Sequence, residues 1–359
     1  MHRLVHAMIA VALLLGSSRP WAQDRQDWIE STPAEQGMNP ALLDQLRHRL
    51  ASSLPHIRSV LVVRNDRLVF EHYGQGLGRN DLHVLNSVTK SVTSSLVGIA
   101  LQEKLIADLD QKIGIWLPET LAPDVDPRTR NITLRHLLTM TAGFEWDEQA
   151  RDNCFASRTA SCERFNDMGD LLNFALRRPL ASEPGTVFRY DSHSSHLLSI
   201  ILSRATGMSA AKFAEKQLAA ALGVTRYQWA SDAQGHSRGG SGLQLTARDM
   251  AKFGTLYLRG GRWAGRQVIP TDFAEASVRQ QSAGGWPWPS WARYGYQWWV
   301  LPAQSGPASY AANGFGGQYI YVVPSSDLVV VITSHPGELR DTGAILREYV
   351  LPSVQPRQP

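Results

Sequence analysis

The chain has 359 residues, 43% hydrophobic and 19% charged, a balance that excludes a disordered or fibrous protein. Its formal net charge of +4 comes from scattered residues. The Arg177-Arg178 and Arg128, Arg130 pairs are too small to form a nucleic-acid stripe, so no nucleic-acid partner is expected.

At the N-terminus His2 and Arg3 precede a short apolar run, Met8 to Leu15, and Ala22 is a small residue suited to cleavage. Residues 1–22 read as a secretory signal, because the run is far shorter than the ~20 residues that cross a bilayer. A periplasmic or secreted protein with no stable membrane insertion after signal cleavage is the expectation. Cys154 and Cys162, the only cysteines, lie close together in a polar segment, and an oxidising compartment favours a local disulfide between them.

Asn39-Pro40-Ala41 opens a helix with Pro in its first turn. Arg58–Val63 and Leu68–Tyr73 then read as a hairpin around Asn65-Asp66-Arg67. From Asn86-Ser87, apolar residues Val88, Val92, Leu96, Ile99 and Ala100 recur at helical spacing. The middle of the chain is mostly helical: Leu134–Met140, Gly169–Leu176, His193–Arg204, Ala210–Leu222 and Ala247–Leu258, with Gly143, Gly207, Gly223 and Gly260 as stops. Strand patterns return at Tyr294–Leu301, Gln318–Val323 and Leu328–Thr333, and a last helix is expected from Asp341 to Val350.

Strands first and last with helices between predict an α/β plus all-α fold. An antiparallel sheet assembled from both chain ends would be flanked by helices (23–105 and 290–359), with a helical lobe (106–289) inserted. A site in the cleft between the two is expected.

Three segments carry chemistry. Ser87-Val88-Thr89-Lys90 places a hydroxyl and an amine on one helix face, at an end where backbone N–H groups are unpaired and the field is positive. Ser87 is the candidate nucleophile and Lys90 the group that activates it, provided that its surroundings lower the amine's proton affinity. Ser209-Ala210-Ala211-Lys212 has the same spacing, but it follows Gly207-Met208 and opens a surface-like helix, so Ser209 reads as an N-cap. Tyr190, ahead of Asp191-Ser192 and a helix, can project a phenol into a cleft as a proton shuttle. Gly314-Phe315-Gly316-Gly317, leading into a strand, allows substrate to approach the backbone closely.

In this order the three resemble the serine β-lactamase and penicillin-binding superfamily, and most closely its class C β-lactamase-like branch of esterases, D-amino-acid peptidases and 6-aminohexanoate-dimer hydrolases. Thr32–Met38, Ile132–Gly143 and Leu245–Met250 extend the resemblance over nearly the whole chain after the signal. It implies a β-lactamase/transpeptidase-like fold, nucleophile Ser87, base Lys90, shuttle Tyr190 and an oxyanion hole from the Ser87 and Phe315 backbone N–H groups. Gly314, Gly316 and Ser192 would border the substrate, and no metal or organic cofactor is implied.

Two departures narrow the chemistry. Tyr190-Asp191-Ser192 stands where true β-lactamases of this branch carry Tyr-x-Asn, and Ala312-Asn313-Gly314 where they carry Lys-Thr-Gly or His-x-Gly. Losing a charge-assisted contact forfeits about 1.5–3 kcal/mol, which disfavours efficient β-lactam turnover. The leading expectation is therefore hydrolysis of a small ester or amide through an acyl-Ser87 intermediate. A β-lactamase or D-amino-acid peptidase, and a non-catalytic binder of cell-wall fragments or β-lactams, are the competing readings. Trp286, Trp288, Trp291, Trp298 and Trp299 fit either a substrate pocket or packing. Glu145–Glu148 reads as a solvated acidic loop that could also hold a substrate amine. His193 and His196 share a helix face without a third metal ligand, and His136 fits a structural position.

Overall fold

The computed structural model describes residues 27–157, 170–285, 288–304, 306–335 and 342–355. The expected signal segment, Cys162, the Cys154 side chain, Trp286 and Asp341 lie outside the described residues.

Helix α1 (Pro40–Ser53) starts as its sequence suggests, with the Asn39 side chain accepting from the Ala41 N–H and Pro40 in the first turn. Strands β1 (Ile57–Arg64) and β2 (Arg67–Tyr73) form the expected hairpin, in which Asn65 and Asp66 take positive φ. A short strand, β3 (Leu82–Val84), leads into α2 (Val88–Gln102). The central helices are α3 (Leu134–Leu138), α4 (Glu148–Ser157), α5 (Leu171–Arg177), α6 (Ser192–Thr206) and α7 (Ala210–Leu222, π-helical over Glu215–Ala219). Then follow β4 (Tyr227–Trp229), β5 (Leu243–Thr246), α8 (Ala247–Leu258), the small pair β6 (Arg262–Trp263) and β7 (Arg266–Gln267), and α9 (Thr271–Ser277). Strands β8 (Arg293–Tyr294), β9 (Trp299–Leu301), β10 (Ser309–Gly314), β11 (Gln318–Val323) and β12 (Leu328–Ser334) precede the closing helix α10 (Gly343–Ser353).

Seven strands make one antiparallel sheet in the order β2-β1-β12-β11-β10-β9-β8, so the two chain ends meet at β1 and β12. Both faces of this sheet are covered, and its strands accordingly read as continuous apolar runs. Leu61 and Val63, with Val329 and Val331 opposite, face the larger core that holds α2, α6 and α8. Their neighbours Val60, Val62, Val330 and Ile332 face a second core with Leu43, Leu46 and Leu50 of α1 and Val350 of α10. The sheet from both chain ends matches the expected fold. A second sheet, β3-β5-β4, was not foreseen, because each of its strands has only three or four residues. Among the described residues no helix is long and apolar enough to cross a membrane.

Candidate active site

Ser87 occupies the N-cap of α2 but does not cap it: its backbone is helical, and its side chain accepts no N–H from the first turn. Asn86 before it adopts φ 47°, a left-handed conformation that asparagine tolerates better than most residues, and this sharp bend presents Ser87. The Asn86 amide donates to the Phe315 carbonyl at 2.7 Å, tying the start of α2 to the β10–β11 turn. Ser87 keeps partial exposure while the rest of the first two turns is buried.

Lys90 is 1% exposed. Its Nζ lies 2.7 Å from Ser87 Oγ, 2.8 Å from Ser192 Oγ and 2.9 Å from the Gly240 carbonyl. Gly240 reaches it because the Gly239-Gly240 backbone lies against α6. A Cβ on Gly239 would fall 2.1 Å from the Ser195 carbonyl, and one on Gly240 2.6 Å from that of Ser192. The segment is held further by Thr93, which donates to the Gly239 carbonyl, and by His196, whose ring faces the buried Asp232 at 2.9 Å.

Behind Ser192 is a group that the sequence had concealed. Glu148 belongs to no solvated loop: it starts α4, and its side chain is 2% exposed. Ser192 Oγ donates to Glu148 Oε1 at 2.5 Å, and Ser192 N–H and Trp146 Nε1–H donate to Oε2. Arg151, one turn along α4, pairs with Oε1 at 2.8 Å. Burial raises the Glu148 carboxyl, but the Arg151 and Lys90 charges and the Ser192 hydrogen bond override it, leaving the carboxyl below its ordinary range. The Ser192 hydroxyl therefore turns inward, between an amine and a carboxylate.

Tyr190 closes the other side. Its ring centroid is 4.9 Å from Lys90 Nζ, and it stacks on Trp299 at 5.6 Å with Tyr294 edge-on at 6.1 Å. The late tryptophans divide between the two cores. Trp299 supports Tyr190 and meets Trp288 at 6.1 Å, whereas Trp298 points the opposite way against Phe253, Tyr257 and Tyr310. Asp191 caps α6 through the His193 N–H and forms a buried pair with Arg178 at 2.9 Å. His193 faces Asp191 at 3.1 Å, so His193 and His196 each serve a different carboxylate. Among the described residues no cluster of His, Cys, Asp and Glu is placed to hold a metal.

Gly314 ends β10, and Phe315-Gly316-Gly317 is the turn into β11, where the sequence had shown only the second strand. A Cβ on Gly314 would stand 2.2 Å from the Leu85 carbonyl and 3.2 Å from the Ser87 nitrogen, so this strand end rests directly on the start of α2. Gly316 and Gly317 take φ 81° and 85°, and the Ser334 hydroxyl bonds the Gly316 carbonyl. Gln297, unremarked in the sequence, is a buried clamp with φ 63°. It accepts from Ser91 of α2 and Ser195 of α6 and donates to the Leu137 and Leu138 carbonyls of α3. Ser209 caps α7 by accepting from the Lys212 N–H, and Lys212 is exposed, which leaves Ser87–Lys90 as the buried copy of the spacing.

The geometry of Ser87, Lys90 and Tyr190 coincides with a match of the Beta-lactamase family model to residues 51–351. This chain belongs to the Beta-lactamase family. A 6-aminohexanoate-dimer hydrolase of Paenarthrobacter ureafaciens is similar to this family member, 27% identical over 326 residues that cover 84% of this chain and 79% of that protein. Two solved structures show the same fold. The octameric penicillin-binding protein homologue of Pyrococcus abyssi has a TM-score of 0.69 at 16% identity, over 89% of this chain and 78% of its own. A D-stereospecific amidohydrolase of a Streptomyces species has a TM-score of 0.66 at 16% identity, over 87% of this chain and 98% of its own. The Beta-lactamase family with such relatives makes this chain an enzyme of the serine hydrolase type.

Proposed function

We propose that this protein hydrolyses a small ester or amide through an acyl-Ser87 intermediate. The observation that carries the reading is the 2.7 Å contact between a buried lysine amine and a partly exposed, uncapping serine hydroxyl at a helix N-terminus. Neutral Lys90 takes the Ser87 proton as Oγ attacks the carbonyl carbon. The N–H groups of Ser87 and Phe315, brought together by Asn86 and Gly314, stabilise the oxyanion. The Tyr190 phenol passes a proton to the leaving group, and a water activated from the Tyr190 and Lys90 side then releases the acyl group. No metal or organic cofactor enters these steps.

The similarity to a 6-aminohexanoate-dimer hydrolase supports an amide or ester substrate over a β-lactam. So does the site itself. At the position of the family asparagine stands Ser192, its hydroxyl committed to Glu148, and Ala312, where the family carries Lys or His, supplies no cation for a substrate carboxylate. Phe188 and Trp288, half-buried against the packed Trp299 and Tyr294, suit an apolar portion of the substrate. We further infer a periplasmic or secreted location from residues 1–22.

The test is covalent trapping. A fluorophosphonate or p-nitrophenyl ester should add its acyl or phosphonyl mass to the peptide containing Ser87, and Ser87→Ala should abolish both label and turnover. Label elsewhere, or label that persists in Ser87→Ala, overturns the assignment. Rapid and sustained turnover of a chromogenic cephalosporin would instead establish a β-lactamase.

A further inference from the structure

We propose that Glu148 is the proton store that turns Lys90 into a base, with Ser192 relaying the proton between them. The inference rests on Ser87 being the nucleophile and concerns how its base is made. A lysine that is to accept the Ser87 proton must first lose one of its own. Of the oxygens around Nζ described above, the Gly240 carbonyl can only accept hydrogen bonds, whereas the two hydroxyls can both accept and donate. Ser192 therefore receives an Nζ–H on one side and donates its own hydroxyl hydrogen to Glu148 Oε1 on the other.

The exchange balances within the chain. An Nζ–H bond of Lys90 breaks as an O–H bond forms on Ser192 Oγ, and the former Ser192 hydroxyl proton moves to Glu148 Oε1. Lys90 and Glu148 are then both neutral, Ser192 is unchanged, and no proton has left for solvent. Ser87 Oγ–H next transfers its proton to the vacant Nζ lone pair. After the leaving group has taken a proton, the Glu148 proton returns through Ser192.

Burial favours the neutral pair over the ion pair. Lys90 is also one of the two cations that hold the Glu148 carboxyl low, and its charge disappears in the same step. Arg151 stays charged against Oε1, so the carboxyl is not stranded without a partner. Among the described residues the other ionisable groups facing this chain are Tyr190 over Nζ, Tyr294, which senses Tyr190 and Glu148, His193, which senses Glu148 and whose imidazole burial pushes down, and Asp191, paired with Arg178. None of them bridges Lys90 to Glu148 as Ser192 does.

The pH profile of kcat/KM for a p-nitrophenyl ester separates a relay from a structural role. With the relay, the active tautomer appears once the Lys90–Glu148 pair has lost its first proton, which places the acid limb in the carboxylate range. In Glu148→Gln or Ser192→Ala, Lys90 must titrate by itself, and the limb should move up by at least about two pH units. If Glu148 served only as a fixed negative charge, Glu148→Gln would move the limb down, since the carboxylate that favours the ammonium is gone. If it were only scaffolding, the limb would stay in place. Either result overturns the proposal. Ser192→Ala removes one oxygen and leaves the Glu148–Arg151 pair, so it decides the matter alone if Glu148→Gln does not fold. Should a fluorophosphonate fail to label Ser87 in the wild-type enzyme, the acyl-enzyme reading itself fails; labelled Ser87 with unshifted variants removes only the relay.

Discussion

Replacing Asp191 by Asn tests whether the buried Arg178–Asp191 pair anchors the segment that carries Tyr190. Asp191 Oδ1 accepts from Arg178 Nη1 at 3.2 Å and from the His193 N–H at 3.0 Å; Oδ2 accepts from Arg178 Nη2 at 2.9 Å and from Ser194 Oγ at 2.8 Å. Asparagine keeps Oδ1, and with it the cap of α6, but it puts an N–H₂ where Oδ2 met two donors and leaves the guanidinium without its counter-charge. Stranding a buried charge costs about 3–5 kcal/mol. Arg178 also lies 4.8 Å from the Phe144 ring centroid and 5.2 Å from that of Trp146, and such contacts return about 1–2 kcal/mol to a desolvated cation. The net loss should be about 1–4 kcal/mol, which at roughly 1–2 °C per kcal/mol for a chain of this length lowers Tm by about 1–8 °C. Calorimetry at neutral pH measures it, and Arg178→Met combined with Asp191→Asn should recover part of the loss because no charge is then stranded. The pH dependence gives an independent check. Burial pushes the Asp191 carboxyl up, but Arg178 and His193 override this and hold it well below the ordinary range. A carboxyl lowered on folding contributes in full above its unfolded pKa of about 4 and loses that contribution as pH falls through the folded value. The deficit of the variant should therefore be constant from pH 8 to 5 and narrow only in strong acid. A loss under about 1 kcal/mol, or a deficit already shrinking near neutrality, would refute the reasoning.

Tyr190→Phe keeps the stacking on Trp299 and the ring beside Lys90 and removes only the phenol. Esterase kcat/KM should fall by about 10²–10⁴-fold at unchanged Tm, and a variant within about threefold of wild type would exclude the hydroxyl from proton transfer. His83, buried with Nδ1 3.0 Å from Thr333 Oγ1, has its imidazole pushed down to about 4, by burial first and then by Arg58. A histidine lowered on folding contributes in full above its unfolded pKa of about 6.5, and the contribution is lost as pH falls from there toward the folded value. His83→Gln should accordingly flatten the decline of the urea midpoint between pH 7 and 4; an unchanged slope would show that other groups govern it.

The fold was legible because its strands and helices are long and strongly patterned at both chain ends. Val60–Val63 and Val329–Ile332 announce a sheet buried on both faces, and Val88 to Ala100 a buried helix. The contact between Ser87 and Lys90 followed from a three-residue spacing, which any helix brings onto one face. Glu148 did not, because three of the four residues in Glu145-Trp146-Asp147-Glu148 are acidic and nothing local marks which of them is buried. Only the folded chain shows that Glu148 is turned inward onto Ser192, 44 positions away. Gln297 was hidden for the same reason, since its polar contacts come from three helices distant in sequence. Ser192 was read as bordering the substrate from its place after Tyr190, and the carboxylate that redirects its hydroxyl gave no local signal.

The pairing of β1 with β12 joins residues 57–64 to residues 328–334, the first long strand to the last. That contact closes a loop of nearly the entire polypeptide, and contacts so distant in sequence form slowly because the chain must be collected before they reward it. A chain that ends before β12 lacks the strand that joins β1 to β11, so the β1–β2 hairpin has no partner in the main sheet. The sheet shared by both ends of the chain is thus completed only when residues 328–334 arrive.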